Sequence, residues 1–321
     1  MREPIPVTVV VASHARPLRL LWLLNALQEQ TFSEPWELVV VHDYDASTAG
    51  RVLDRHPLTA SGRLRHLAIE PGTGSPSRQR NLGWRAARGE LIAFTDDDCR
   101  PEPTWLDRLV AAARNAESHI VQGATHPDPH EHALLSAPHV RTLLIEPVSP
   151  FAQTCNILYP RAVLERLDGF DERAIAGEDV GLSLRARAAG HRIVAAHDAV
   201  VFHAVESFTL PQILRQNLKW RHLAYLVKRH PELRADLTLH VFWDADHLRT
   251  VAALAGLMAG RRRASWLALT APYLHDAAGR RGRHPLGRAV AVAEIPGQFA
   301  RQVAEVLGMA AGSLRHRTLL L

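Results

Sequence analysis

A chain of 321 residues, 47% of them hydrophobic and 22% charged, can bury a full core, and this composition excludes intrinsic disorder. Its net charge of +5 rests on arginine, because Lys219 and Lys228 are the only lysines; the sign suits phosphates, acidic lipid or nucleic acid and alone chooses none of them. Cys99 and Cys155 are the only cysteines, which excludes a disulfide framework and fits a reducing, cytoplasmic setting.

In chain order, residues 6–13 (PVTVVVAS) are a β-branched run suited to a central parallel strand, with no signal peptide expected ahead of it. Pro17 fits the first turn of a helix whose apolar face carries Leu20, Leu23, Leu24 and Leu27. Strand signals recur at 36–43, ending in His42 and Asp43, and at 63–70. A loop rich in Gly, Pro and Ser at 71–77 leads into a helix over 77–89 that Gly89 is expected to close. Leu91 to Phe94 then read as a short buried strand that runs into Asp96, Asp97 and Asp98. Strand, helix, strand, helix, strand is the order of a parallel α/β sheet. Beyond it, Pro103 opens a helix with Trp105, Leu106, Leu109, Val110 and Ala113 in the core. A strand at 119–124 precedes a long His- and Pro-rich loop at 125–150. Residues 151–159 are strand-like, and Gly169 stops a helix over 160–170. A helix at 176–192 places Val180, Leu184 and Ala188 on one face, and AVVFH at 199–203 closes the core.

The acidic run is the chemical centre. Open α/β sheets place their ligand crevice at the carboxyl ends of the strands. Three adjacent carboxylates repel one another unless a cation, a basic partner or water neutralises them. Mg²⁺ or Mn²⁺ takes oxygen ligands and keeps positions for water and substrate phosphate. Asp96 and Asp98, two apart, suit such an ion, with Asp97 turned away to hold the loop. By itself the run is equally well an acidic turn that caps the following helix.

Several motifs occur in an order that resembles the inverting glycosyltransferases of family 2. Asp43 ends the second strand; Arg80, Asn81 and Gly83 make an Arg-Asn-x-Gly; FTDDDCRP occupies 94–101; GFDERAIAGED occupies 169–179; His203 follows AVVF; and QNLKW at 216–220 is similar to a Gln-x-x-Arg-Trp. The resemblance covers residues 5–230. It implies the GT-A fold, an α/β architecture with a Rossmann-like, mixed, mostly parallel sheet flanked by helices, here followed by a C-terminal helical extension. It implies donor binding by Asp43, Arg80, Asn81, Asp96 and Asp97, and Mg²⁺ or Mn²⁺ held by Asp96, Asp98 and His203. Asp179 is then the general base and Glu178 orients the acceptor or a basic neighbour. Gln216, Lys219 and Trp220 are the acceptor or diphosphate candidates, although Lys219 lacks the planar fork of the arginine usual there. The expected partners are a nucleotide-sugar donor, with a UDP-sugar first, and a glycan, lipid-linked or small-molecule acceptor; no nucleic-acid module is recognisable.

Each residue also has a plainer reading. Asp179 caps its helix, His203 is a satisfied core residue, Trp220 packs, and Arg80 is a surface charge. A second enzyme reading is a haloacid-dehalogenase-type phosphatase, with Asp96 as nucleophile and Asp98 as acid. That class expects Thr or Val two residues past Asp98, where Arg100 stands. A third is an inactive GT-A-like binding protein at a membrane. The expected division is 1–205 for catalysis, 206–240 as a helical acceptor-side extension, and 241–321 as an amphipathic helical region. Within the last, apolar stretches at 248–260 and 264–274 flank Arg261, Arg262 and Arg263, and Arg280, Arg281 and Arg283 follow. Each stretch is shorter than the roughly 20 residues that span a bilayer, so they are expected either to lie on a membrane surface or to pack as a helical subdomain.

Overall fold

The computed structural model describes residues 5–115, 119–259, 264–282 and 284–321. The chain forms two compact units, Met1–Leu135 with Arg141–Glu206, and Ser136–Val140 with Ser207–Leu321.

The first unit is built on an eight-stranded sheet. Its strands are β1 (Val7–Ser13), β2 (Trp36–His42), β3 (Leu64–Ala68), β4 (Leu91–Asp96), β5 (Cys99–Pro101), β6 (Ile120–Pro127), β8 (Asn156–Pro160) and β9 (Ile193–His203), with a two-residue stretch β7 (Val140–Arg141) outside the sheet. The spatial order is β3-β2-β1-β4-β8-β6-β9-β5. Neighbours run parallel except where β8 lies between β4 and β6 and where β5 pairs with β9. β1 is buried on both faces because its residues alternate between two cores. Val7, Val9 and Val11 meet Leu20, Leu23, Leu24 and Leu27 of α1 (Pro17–Gln28) on one side. Val10 packs with Ile92, Phe94 and Trp84 on the other. After β2 come two short helical turns, α2 (Ala46–Ala49) and α3 (Pro57–Ala60), and after β3 comes α4 (Pro76–Ala86). α4 lies directly on β1: a Cβ at Gly83 would sit 2.4 Å from Val10 Cγ1. The remaining helices of this unit are α5 (Trp105–Asn115), α6 (Arg161–Leu167) and α7 (Glu178–Ala188). The core residues expected from 105 to 113 are all buried in α5.

Several boundaries differ from the sequence expectations. α4 ends at Ala86, short of Gly89; that glycine is needed for close approach, since a Cβ there would lie 2.6 Å from the backbone nitrogen of Thr8. The stretch 125–150 is less irregular than expected, because β6 continues to Pro127 and a 3-10 helix spans Pro129–Ser136. β9 begins at Ile193, six residues early, and its register against β6 shifts between Gly123 and Ala124. A side chain at Gly123 would collide with the Ala199 carbonyl, at 2.3 Å from its Cβ, so the bulge depends on that glycine. α7 turns Leu182 and Ala186 into the core, while Ala188 is exposed.

The second unit is helical: α8 (Leu210–Asn217), a 3-10 turn over Leu218–His222, α9 (Leu223–Arg229), α10 (Ala245–Ala259), α11 (Ala264–Gly279) and α12 (Pro285–His316). The expected amphipathic segment at 209–230 is thus three pieces. α12 presses on the middle one, where a Cβ at Gly312 would lie 2.1 Å from the Arg221 carbonyl oxygen. α10 and α11 contribute Ala253, Tyr273 and Ala277 to a small core with Ile295 and Phe299 of α12, as a packed subdomain would. Arg280 pairs with Asp246 and Asp276, and Arg281 with Glu294. Arg261, Arg262, Arg263 and Arg283 lie outside the described residues. No helix among the described residues is long and apolar enough to cross a membrane.

Candidate active site

The parallel register of β1 with β2 and β4 brings Ser13, His42 and Asp96 to the same carboxyl edge of the sheet. The loops that leave these strand ends build the site. Asp97 is buried and accepts hydrogen bonds from Ser13 Oγ (2.7 Å) and the His14 backbone N–H (3.2 Å), so it fastens the loop after β1. Burial and the adjoining Asp98 push its carboxyl up to about 7. Asp98 is also buried, and β5–β9 pairing sets Cys99 opposite His203. One ligand atom each from Asp98, Cys99 and His203 lies within 4.8 Å of the others, and His203 Nε2 is 3.7 Å from Asp98 Oδ1.

This donor set suits a hard divalent cation through Asp98 and His203. Cys99 adds little to it, because burial drives its thiol pKa well up and keeps it protonated. Asp96 faces elsewhere: it accepts from Arg80 Nη2 at 2.7 Å, while Arg80 Nη1 donates to Glu178 at 2.6 Å. Arg80 is buried, far from the surface charge of the plainer reading; the two carboxylates outweigh its desolvation and raise its pKa. It links the acidic run at the end of β4 to the first turn of α7. There Asp179 is half-buried. Burial, then Glu178, push its carboxyl up to about 7 against the pull of Arg80.

Asn81 is turned the other way. Its Nδ2 donates to the Phe170 carbonyl and to Glu172, and its Oδ1 accepts from the Phe170 N–H (2.9 Å) and Trp84 Nε1 (3.0 Å). It clamps the Gly169–Phe170 turn, on which Arg80 also rests, 5.8 Å from the Phe170 ring centroid. Gly169 has φ +62°, and a Cβ there would meet Asn81 Oδ1 at 2.4 Å. Gly169→Ala should therefore lower stability by about 1–3 kcal/mol and reduce Tm, as checked by thermal melting; an unchanged Tm would show that the clamp is dispensable.

Asp43 receives His14 Nδ1 at 2.6 Å on the far side of the crevice. Beside it, Tyr44 Oη lies 2.6 Å from Ser13 Oγ and its ring stacks on His42. Gln216, Lys219 and Trp220 belong to the helical unit, where Trp220 packs edge-on to Trp243 and against His247. The sequence reasoning missed Arg16. Its Nη1 donates to Asp98 and lies 3.5 Å from Asp97 Oδ1, and Nη2 is 4.0 Å from Glu206. The available signal was a cation directly after the first strand, ahead of Pro17, at the edge where the carboxylates gather.

Residues 4–222 match the family model described as "Glycosyltransferase like family 2". Glycosyltransferase AglE of Haloferax volcanii is 28% identical over 63% of this chain and 68% of its own length. The O-antigen biosynthesis protein RfbC of Myxococcus xanthus is 28% identical over 61% of this chain and 17% of its length. Among solved structures, the mannosyltransferase PcManGT of Pyrobaculum calidifontis, in complex with GDP-Man and Mn²⁺, superposes with a TM-score of 0.56 at 18% identity, covering 98% of this chain and 89% of that one. S. aureus TarS 1-349 in complex with UDP-GlcNAc gives 0.53 at 18% identity, covering 98% and 93%. At that identity the likeness concerns the fold, which is GT-A.

Proposed function

Since the chain belongs to glycosyltransferase family 2 and is a glycosyltransferase, we propose that it moves a glycosyl group from a nucleotide-sugar donor to an acceptor hydroxyl with inversion at the anomeric carbon. The observation that carries this reading is the buried Arg80, which ties the acidic run on the donor side to Glu178, next to Asp179. A phosphatase reading has no place in this family, and Asp96, bound by Arg80, is poorly placed as a nucleophile.

Asp179 takes the acceptor proton as the acceptor oxygen bonds to the anomeric carbon. The bond from that carbon to the donor phosphate breaks in line, and its electron pair leaves with the nucleoside diphosphate. A carboxyl raised to about 7 is matched to that task near neutral pH. Glu178 fixes Arg80, which holds Asp96 at the crevice edge. Asp43, directly after β2, is the residue we assign to the nucleotide base. Asp98 and His203 would hold Mn²⁺ or Mg²⁺, while Asp96 stays paired with Arg80. The bound ion would supply Lewis-acid neutralisation of the departing diphosphate. A UDP-sugar is the first choice of donor, with dTDP- and GDP-sugars as the others; relatives of the same fold hold UDP-GlcNAc and GDP-Man.

The test is a panel of nucleotide sugars with Mn²⁺, read as nucleoside diphosphate released by the purified chain. Release from one donor class, dependent on an acceptor alcohol, is expected. A folded protein that releases diphosphate from none of them would overturn the reading.

A further inference from the structure

We propose that the helical unit docks on an anionic lipid bilayer through a basic, leucine-studded face formed where the 3-10 turn Leu218–His222 meets the end of α12. This face belongs to the helical unit alone, so lipid docking and the proposed donor chemistry fail separately.

The face joins two segments without acids. Residues 207–231 contain no Asp or Glu, and neither do residues 306–321. α12 brings them together through glycines: besides Gly312 against Arg221, a Cβ at Gly308 would lie 3.3 Å from the Asn217 carbonyl oxygen and 3.4 Å from that of Leu218. Like charges are thereby held close. Burial, with Arg221, Arg315, His316 and Lys219 around it, holds the His222 imidazole below its ordinary pKa. Among the described residues, Arg215, Lys219, Arg221, Lys228, Arg315 and Arg317 have no carboxylate partner. Elsewhere on the same unit, Arg249, Arg280 and Arg281 are all paired. Those unpaired cations all belong to the two acid-free segments that α12 brings together.

Apolar side chains stand among them. Leu218 is 46% exposed, Leu307 59% and Leu314 84%. Leu307 and Leu314, seven apart on α12, share a side of that helix, and Leu307 adjoins the glycine that touches Leu218. A cleft of about 460 Å³ opens between Gln212, Arg215, Gln216, Leu218, Lys219 and Arg221, large enough for a phosphate headgroup. Cations that meet headgroups beside leucines that enter the acyl boundary are the two terms of interfacial binding. A nucleic-acid strand would instead need exposed aromatic rings, and Trp220 is packed against Trp243.

The experiment is co-sedimentation of the full chain with phosphatidylcholine vesicles, with and without phosphatidylglycerol, and with heparin as a polyanion lacking an apolar phase. Binding should require phosphatidylglycerol. Arg221→Glu with Arg315→Glu should weaken it by at least about 20-fold, at roughly fivefold per cation removed. Leu314→Ser should weaken vesicle binding and leave heparin binding unchanged. Donor turnover in vesicle-free solution should be unaffected in each variant. Absence of binding to the anionic vesicles, or equal binding by wild type and the Arg221/Arg315 variant, overturns the proposal. Vesicle binding that Leu314→Ser leaves intact also overturns it, in favour of a site for acidic polymers.

Discussion

Asp179→Asn should lower the rate of transfer by about 10²- to 10⁴-fold, the range for a missing general base, while donor affinity measured by calorimetry stays within about twofold. The separation is expected because, among the described residues, no side chain donates to Asp179; its carboxylate accepts from the Val180 backbone N–H. Arg80, Asp96 and Glu178 retain their pairs in the variant. The pH profile supplies a second readout. The Asp179 carboxyl is raised to about 7 by burial and by Glu178, so below that pH the base is protonated and kcat/KM should fall about tenfold per unit. Above it the limb should level off, and in Asp179→Asn the limb should be absent. If the substitution abolishes donor binding and leaves the acidic limb in place, the proton acceptor is another group.

Much of the first unit is legible in the sequence because its signals are local. The spacing of Leu20, Leu23, Leu24 and Leu27, or the run VTVVV, states which face is buried without reference to anything distant. The family resemblance is legible for the same reason: its motifs are short runs whose identity and order are read directly along the chain. What escaped depends on long-range contact. Arg16 meets Asp98 only because β1 and β4 are neighbours, 82 positions apart in the chain. Asn81 reads as a donor-binding residue from its motif, and its hold on the Gly169–Phe170 turn depends on a segment nearly ninety positions later. β9 begins in IVAAHD, whose small and polar residues carry no period-two signal, so its first half is defined by pairing with β6. The break at Leu218 likewise follows from Gly308 and Gly312, some ninety positions later.

Asp98→Asn should cut Mn²⁺ affinity by at least about 100-fold and remove metal-stimulated turnover, whereas Asp96→Asn should act first on stability. The two acids of the run differ in their partners. Asp98 faces His203, 3.7 Å away, and its charge is met by Arg16 from the partly exposed loop after β1. Asp96 is fixed by the buried Arg80, and neutralising it leaves that guanidinium with Glu178 alone, at a cost of about 3–5 kcal/mol for a broken buried pair, reduced by the partial exposure of Asp96. Mn²⁺ binding followed by electron paramagnetic resonance, with Tm measured alongside, separates the effects. Arg16→Gln provides the opposing control: with its positive charge removed from Asp97 and Asp98, the ion should bind several-fold more tightly. Weaker Mn²⁺ binding in Arg16→Gln, or unaltered binding in Asp98→Asn, would move the ion away from Asp98 and His203.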